Sequence, residues 1–171
     1  MPKFDFETGT WSSGQSPDAT LIIAGDWAPI RNFAPLIETD PASIYGDLLP
    51  IIQGADLSLV NLEAPLSDRG SPVTKSGAVF KGEACHVKGL TAVPFDGVTL
   101  ANNHMFDFGL QAFEETINIL DSNGIKHLGA GKNLDQASTP CILKTRGITL
   151  GIVNLSEGED LTAAGQGPVS R

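Results

Sequence analysis

Short apolar runs rich in β-branched residues alternate along the chain with glycine-containing or polar turns and with helical stretches. The runs are 20–24 (TLIIA), 56–60 (DLSLV), 97–101 (GVTLA), 125–128 and 148–153 (ITLGIV). Runs that are apolar at almost every position are typical of strands covered on both faces. The pattern therefore predicts several central strands of one sheet.

Three helices are predicted between these strands, at about 42–53, 84–92 and 109–122. The third has the clearest pattern, because Leu110, Phe113, Ile117 and Leu120 share one face and Asn123-Gly124 supplies a C-terminal stop. Helices that connect consecutive strands imply right-handed parallel crossovers. We therefore expect an α/β fold with a mostly parallel sheet and flanking helices.

The domain organisation follows from where this pattern begins and ends. Residues 1–19 are polar and are expected to form a flexible lead-in, and residues 20–156 form one α/β domain. Residues 157–171 are polar and glycine-rich, so we expect a poorly ordered tail. A length of 171 residues, with 41% hydrophobic residues and a mean hydropathy of +0.02, suits one folded domain.

Charge and cysteine content exclude several kinds of partner. The chain has 11 basic and 20 acidic residues, a net charge of −9, and no basic cluster, so nucleic acid and anionic membrane surfaces are not expected to bind. No apolar run is long enough for a membrane span, and the acidic N-terminus lacks a secretory signal, which predicts a cytoplasmic location. Cys85 and Cys141 lack metal-ligand or disulfide spacing and are interpreted as ordinary thiols.

Polar donors follow three of the predicted strands. They are Asp26 after the first strand, Asn61 and Glu63 after the second, and Asn102, Asn103 and His104 after the third, with Asp107 close behind. Ligands of open α/β sheets bind outside the carboxyl ends of the strands. Carboxylates, amide oxygens and imidazole suit Mg, Mn, Fe or Zn without a thiolate, so a divalent metal site is expected there.

Each of these residues also has an ordinary interpretation. Asp26 alone suits a turn or helix cap, Glu63 a solvated loop acid, and the asparagines turn positions. His104 alone suits a hydrogen-bonded structural imidazole. His86 and His127 adjoin no donor cluster and are interpreted as surface or core histidines. Residues 129–132 (GAGK) lack the spacing of a phosphate-binding loop, so a nucleotide cofactor is not indicated.

Five segments in this order resemble the CapA family, the poly-γ-glutamate capsule biosynthesis proteins, over about residues 20–156. They are IIAGD (22–26), ADLSLVNLEAPL (55–66), VFKGE (79–83), VTLANNHMFDFGLQAFEET (98–116) and HLGAG (127–131). That family is similar to calcineurin-like metallophosphoesterases. The resemblance therefore implies the N-terminal portion of a layered α/β fold with a metal site at the strand ends.

The resemblance also implies roles for individual residues. Asp26 matches the first-strand metal ligand and Asn103 matches the amide ligand. Asn61 and Glu63 match the NLE element, in which Glu63 is the better candidate, as a bridging ligand. His104 matches the imidazole that protonates a leaving group or steadies the scissile oxygens, and Asp107 orients His104.

Two departures from the family pattern affect the expected activity. Trp27 and Ala28 follow Asp26, so the histidine of a GDxH motif is absent, and later histidine segments of HWG and GHxH type do not occur in the chain. The expectation is therefore a domain that is C-terminally incomplete, with half of the metal shell missing. Such a chain is expected to self-associate, to bind metal weakly and to be inactive by itself.

The resemblance implies a role in poly-γ-glutamate synthesis or handling, with a divalent metal that activates water against a phosphoester or a γ-glutamyl amide. The expected substrate is an anionic polymer or a phosphoester. One alternative is a non-catalytic component that binds the polymer or a synthase partner. Another is a flavodoxin-like binding domain without metal, which predicts that Asp26, Glu63 and Asn103 lie far apart.

Overall fold

The computed structural model describes residues 3–5, 7, 10–12, 18–157 and 169–170. Strands β1 (Lys3–Asp5) and β2 (Thr10–Ser12) form an antiparallel pair. Four further strands, β3 (Leu21–Trp27), β4 (Leu57–Leu62), β5 (Gly97–Thr99) and β6 (His127–Leu128), form a parallel sheet in that order. The expected α/β fold with a parallel sheet is confirmed.

The remaining strands lie outside this sheet. They are β7 (Ala130–Gly131), β8 (Cys141–Thr145), β9 (Ile148–Ile152) and β10 (Val169–Ser170). Strands β8 and β9 form an antiparallel hairpin, and β7 pairs antiparallel with β10.

The helices connect the strands of the parallel sheet or follow it. They are α1 (Phe33–Thr39), a 3₁₀ helix (Ser43–Leu48), α2 (Leu49–Gln53), a 3₁₀ turn (Ala84–His86), α3 (Val87–Thr91), α4 (Gly109–Ser122) and α5 (Leu134–Ala137). Helix α4 coincides with the prediction, and Gly124 beyond its end has a φ of +67°, the left-handed conformation of a helix stop. No helix among the described residues is both long and apolar enough to cross a membrane.

The helix predicted at 42–53 is interrupted in the structure. Gly46 has φ 49° and ψ −131° inside the 3₁₀ helix, and Pro50 restarts the helix in the first turn of α2. Helix α1 was not predicted, since its seven residues, with Pro35 in the first turn, are too few to show a period. Local backbone breakers, rather than the apolar pattern, therefore set the helix boundaries in this region.

The run at 148–153 is a strand, but the expectation that it joins the parallel sheet is wrong. Arg146 and Gly147 have φ values of 46° and 78°, which is the geometry of a two-residue hairpin turn. This turn pairs β9 with β8 instead. The hairpin then packs Leu143 against Leu57 and Leu59, on the opposite side of the sheet from the main core.

Strand β3 is not covered on both faces, contrary to the prediction for the apolar runs. Ile22 and Ala24 pack against the main core, but Leu21 is 41% exposed and Ile23 is 73% exposed. These two residues lie opposite Leu57 and Leu59 of β4 in register, beyond the part of the face that the hairpin covers. The expected self-association stays a prediction.

The predicted boundaries of the lead-in and the tail stay predictions. Most of residues 1–19 and 157–171 lie outside the described residues.

Helix α4 offers a test of the core assignment. Leu120 is fully buried, whereas Leu110, predicted to share its face, is 45% exposed because the inner stripe runs through Ala112, Phe113 and Thr116. We expect Leu120→Ala to lower the free energy of unfolding by about 2–5 kcal/mol in a urea titration. Leu110→Ala is the matched control, expected within about 0.5 kcal/mol of the parent chain. Equal losses for the two variants would contradict this packing.

Candidate metal site

Three neighbouring strands end in register at the carboxyl edge of the parallel sheet. Asp26 of β3 lies opposite Asn61 of β4, and Asn61 lies opposite Thr99 of β5. The register of β3 shifts between Ile23 and Asp26. Without that irregularity Gly25 would face Asn61, so the bulge is what brings the Asp26 carboxylate to the Asn61 side chain.

The Asn61 side-chain amide connects the two predicted carboxylate ligands. Its Nδ2 donates to Asp26 Oδ1 at 2.8 Å and to Glu63 Oε2 at 2.5 Å. Its Oδ1 accepts from Thr99 Oγ1 at 3.1 Å and from Asn102 Nδ2 at 3.2 Å. Every polar atom of the amide is therefore paired, and Asn61 fits an organiser of two carboxylates better than a metal ligand. Its assignment as a ligand stays a prediction.

Glu63 lies in an environment that disfavours its negative charge. Its side chain is 14% exposed, and burial is the largest cause of a raised Glu63 pKa, followed by the nearby charge of Asp26. The hydrogen bond from Asn61 opposes the shift only in part. Burial and the neighbouring Asp26 charge therefore leave the negative charge of Glu63 poorly compensated. A divalent cation would stabilise two adjacent carboxylates of this kind.

The turn after β5 carries the other predicted residues. Asn102 is buried, and its Nδ2 donates to the Leu62 carbonyl at 2.8 Å, while its Oδ1 accepts from the His104 backbone N–H at 3.0 Å. The Asn103 side chain is exposed, and its amide has no hydrogen-bond partner among the described residues. Asn103 is therefore available to bind a ligand.

The His104 ring lies between two acids, with Nε2 toward Glu63 and Nδ1 bonded to Asp107. Its Nδ1 donates to Asp107 Oδ2 at 2.6 Å, while its Nε2 lies 3.8 Å from Glu63 Oε1. The Phe80 ring stacks on the imidazole with 4.1 Å between ring centroids. This arrangement leaves Nε2 as the atom that holds or passes a proton at the site.

Asp107 is the buried anchor behind His104. It is 1% exposed, and besides His104 it accepts from the Phe80 backbone N–H at 2.6 Å and from Lys75 Nζ at 2.8 Å. Sequence reasoning assigned no role to Lys75, Phe80 or Thr99, and it named Asn102 only as one of the polar donors that follow the third predicted strand. The VFKGE segment was the one signal that pointed toward Phe80.

The structure thus groups the predicted residues at one edge of the sheet. Hydrogen bonds and ion pairs join Asp26, Asn61, Glu63, His104 and Asp107, and Asn103 is the residue before His104. A flavodoxin-like domain with Asp26 and Glu63 far apart does not agree with this geometry. Carboxylate and amide oxygens beside one imidazole fit a hard divalent cation such as Mn or Mg, with Fe or Zn as alternatives.

A second group of metal-binding side chains consists of Glu38, Glu83, Cys85 and His86. One ligand atom from each lies within 4.8 Å of the others. However, His86 Nδ1 accepts the Glu83 backbone N–H at 2.9 Å, and its Nε2 lies 3.5 Å from Glu38 Oε1. A neutral ring with this acceptor carries its proton on Nε2, so a cation would have to displace that proton to bind this atom. His86 is 3% exposed, but the expectation that it adjoins no donor cluster is wrong.

The fold and the site together define an α/β protein with a carboxylate-rich site at the carboxyl edge of a parallel sheet. The sequence profile of the family described as "Bacterial capsule synthesis protein PGA_cap" matches residues 20–170, and the chain belongs to this family.

Three relatives add detail. The uncharacterized proteins y4sH and y4uA of Sinorhizobium fredii are each 28% identical over 148 residues, which cover 84% of this chain and 31% of each relative. A probable polyglutamine synthesis accessory protein of Mycobacterium tuberculosis is 32% identical over 92 residues, 53% of this chain and 24% of that protein. The chain therefore spans less than a third of the length of these relatives.

Glu63 offers a pH-dependent test of this electrostatic description. A carboxyl whose pKa is raised on folding opposes folding when it is ionised, and the penalty disappears below its ordinary pKa of 4.5. We expect Glu63→Gln to raise the metal-free free energy of unfolding by roughly 0.5–2 kcal/mol at about pH 7, with no gain at about pH 3.5. Urea titrations with a chelator measure this, and the exposed Glu114→Gln is the control. A loss of stability at about pH 7 would contradict the description.

Proposed function

We propose that this protein takes part in the synthesis or handling of a poly-γ-glutamate capsule, through a divalent-metal site that hydrolyses a phosphoester or a γ-glutamyl amide. Membership of the capsule synthesis family and the name of the mycobacterial relative support the biological role. One observation carries the chemical part: the Asp26 and Glu63 carboxylates share the Asn61 amide, and Glu63 Oε1 lies 3.8 Å from His104 Nε2.

Three side chains would hold the cation. Asp26 and Glu63 would supply carboxylate oxygens, and Asn103 would supply an amide oxygen. A divalent cation in such a site lowers the pKa of water toward neutrality and offsets charge on the scissile group.

His104 would supply the proton chemistry of the site. Asp107 accepts from Nδ1, so the ring presents Nε2 toward Glu63 and the edge of the sheet. An imidazole held in this way protonates a leaving group or steadies a developing negative charge. Phe80 keeps the ring in place by stacking and shields one of its faces.

A second candidate is a non-catalytic component that binds the polymer or a synthase partner. The name of the mycobacterial relative describes an accessory protein, which supports this role. A net charge of −9 opposes polyanion binding in either role, and two lysines that could offset it are already engaged: Lys75 is paired with Asp107 and Lys81 lies over the Phe108 ring. In this role the site would bind a cation that bridges protein and polymer carboxylates.

Metal binding separates the proposed site from a purely structural cluster. We expect MnCl₂ titrated calorimetrically into the protein to bind weakly, and Asp26→Ala to weaken this binding by at least about tenfold. The metal-free stability of Asp26→Ala should be unchanged or slightly higher, because a like charge beside Glu63 is removed. The exposed Asp47→Ala is the control. Unchanged Mn²⁺ affinity in Asp26→Ala, or a large loss of metal-free stability, would contradict the proposal.

Two assays then address the bond attacked. Bis(p-nitrophenyl) phosphate reports phosphodiester hydrolysis, and γ-glutamyl-p-nitroanilide reports γ-glutamyl amide hydrolysis. Mn²⁺-dependent turnover of one compound, lost in Asp26→Ala, supports hydrolysis and identifies the bond. No turnover of either compound above background contradicts the hydrolytic part of the proposal and favours the non-catalytic role.

A further inference from the structure

Lys75 connects the loop before Phe80 to the turn that carries Asn103 and His104. Its Nζ donates to the Asn103 carbonyl oxygen at 2.7 Å and to Asp107 Oδ1 at 2.8 Å. The side chain is 9% exposed, although most of the surrounding residues 71–79 are exposed. Burying a charged side chain costs free energy unless the charge is paired. A buried lysine in an otherwise exposed loop therefore indicates that its charge has a specific structural role.

The first contact involves the peptide group between Asn103 and His104, whose carbonyl and N–H are both hydrogen-bonded. The carbonyl of Asn103 and the N–H of His104 belong to the same peptide plane. Lys75 binds the carbonyl, and Asn102 Oδ1 accepts the N–H at 3.0 Å. The orientation of that plane sets the directions in which the Asn103 and His104 side chains leave the backbone. Lys75 therefore acts on both the expected amide ligand and the expected proton carrier.

The second contact compensates the buried charge of Asp107. This carboxylate is 1% exposed and accepts from His104 Nδ1. Among the described residues, Lys75 is the only lysine or arginine within ion-pair distance of Asp107. Removing one partner of such a pair leaves an uncompensated buried carboxylate, which reorganises its surroundings. Here those surroundings are the His104 ring and the Phe80 backbone.

We infer that Lys75 is a positioning residue of the candidate metal site, which sets the geometry of Asn103 and His104 through the Asn103 carbonyl and Asp107. The inference rests on the proposed function, because it assigns Lys75 to the same site. Lys75 itself touches neither substrate nor cation in this role. Its effect is exerted through the peptide plane and the carboxylate that it holds.

The test compares Mn²⁺ affinity in folded variants, with MnCl₂ as the probe. Lys75→Met keeps an unbranched side chain one atom shorter and removes its charge, and it should weaken Mn²⁺ binding by about 10–100-fold. Lys75→Arg keeps the charge and should recover most of the affinity. Lys144→Met on the exposed face of β8 is the matched lysine control. Leu120→Ala is the control for lost stability alone, and both should bind Mn²⁺ as the parent does.

Unchanged Mn²⁺ affinity in Lys75→Met, or equal weakening in Leu120→Ala, would overturn the inference. If the parent chain binds no Mn²⁺ at millimolar concentration, the proposed metal site fails, and the backbone amide signals of Asn103 and His104 in a ¹H–¹⁵N spectrum decide the role of Lys75. Movement of both signals in Lys75→Met but not in Lys144→Met supports positioning. Unmoved signals in a folded Lys75→Met variant overturn it.

Discussion

The Asn61 side-chain amide is the contact on which the rest of the site depends. It places one NH₂ group between two carboxylates and turns its oxygen toward Thr99 and Asn102. Three strand ends and the following turn are therefore connected through one planar group. A residue without both donor and acceptor atoms at this position would leave two carboxylates facing each other with no donor between them.

The remaining electrostatics follow from this contact. Asn61 brings Asp26 and Glu63 together at the cost of like-charge repulsion, which is one cause of the raised Glu63 pKa. A third carboxylate, Asp107, does not join this pair, because it is bonded to Lys75 and to His104 instead. Among the described residues, no lysine or arginine pairs with Asp26 or Glu63, whereas Asp107 is paired with Lys75. This difference is the physical reason for our proposal that the first two acids bind the metal and that Asp107 orients the His104 ring.

Much of this arrangement was predictable from the sequence, and the exceptions have physical reasons. The apolar runs predicted β3, β4 and β5, and the rule that ligands bind at carboxyl strand ends predicted that Asp26, Glu63 and His104 would meet. The bulge before Asp26 leaves no mark in the apolar pattern, so the register that pairs Asp26 with Asn61 was not predictable. Lys75 and Phe80 come from an irregular loop, where contacts depend on tertiary packing rather than on period. The hairpin turn at Arg146-Gly147 did have a local signal, two turn residues between β-branched runs, that would have placed β9 correctly.

The most direct test of the central claim is a crystal structure of the protein soaked in MnCl₂, with anomalous scattering recorded at the manganese edge. The account predicts an anomalous peak between the carboxylates of Asp26 and Glu63, within ligand distance of the Asn103 amide, with Asn61 still bonded to both carboxylates. A peak at Glu38, Cys85 and His86 instead, or no peak beside Glu63, would contradict it.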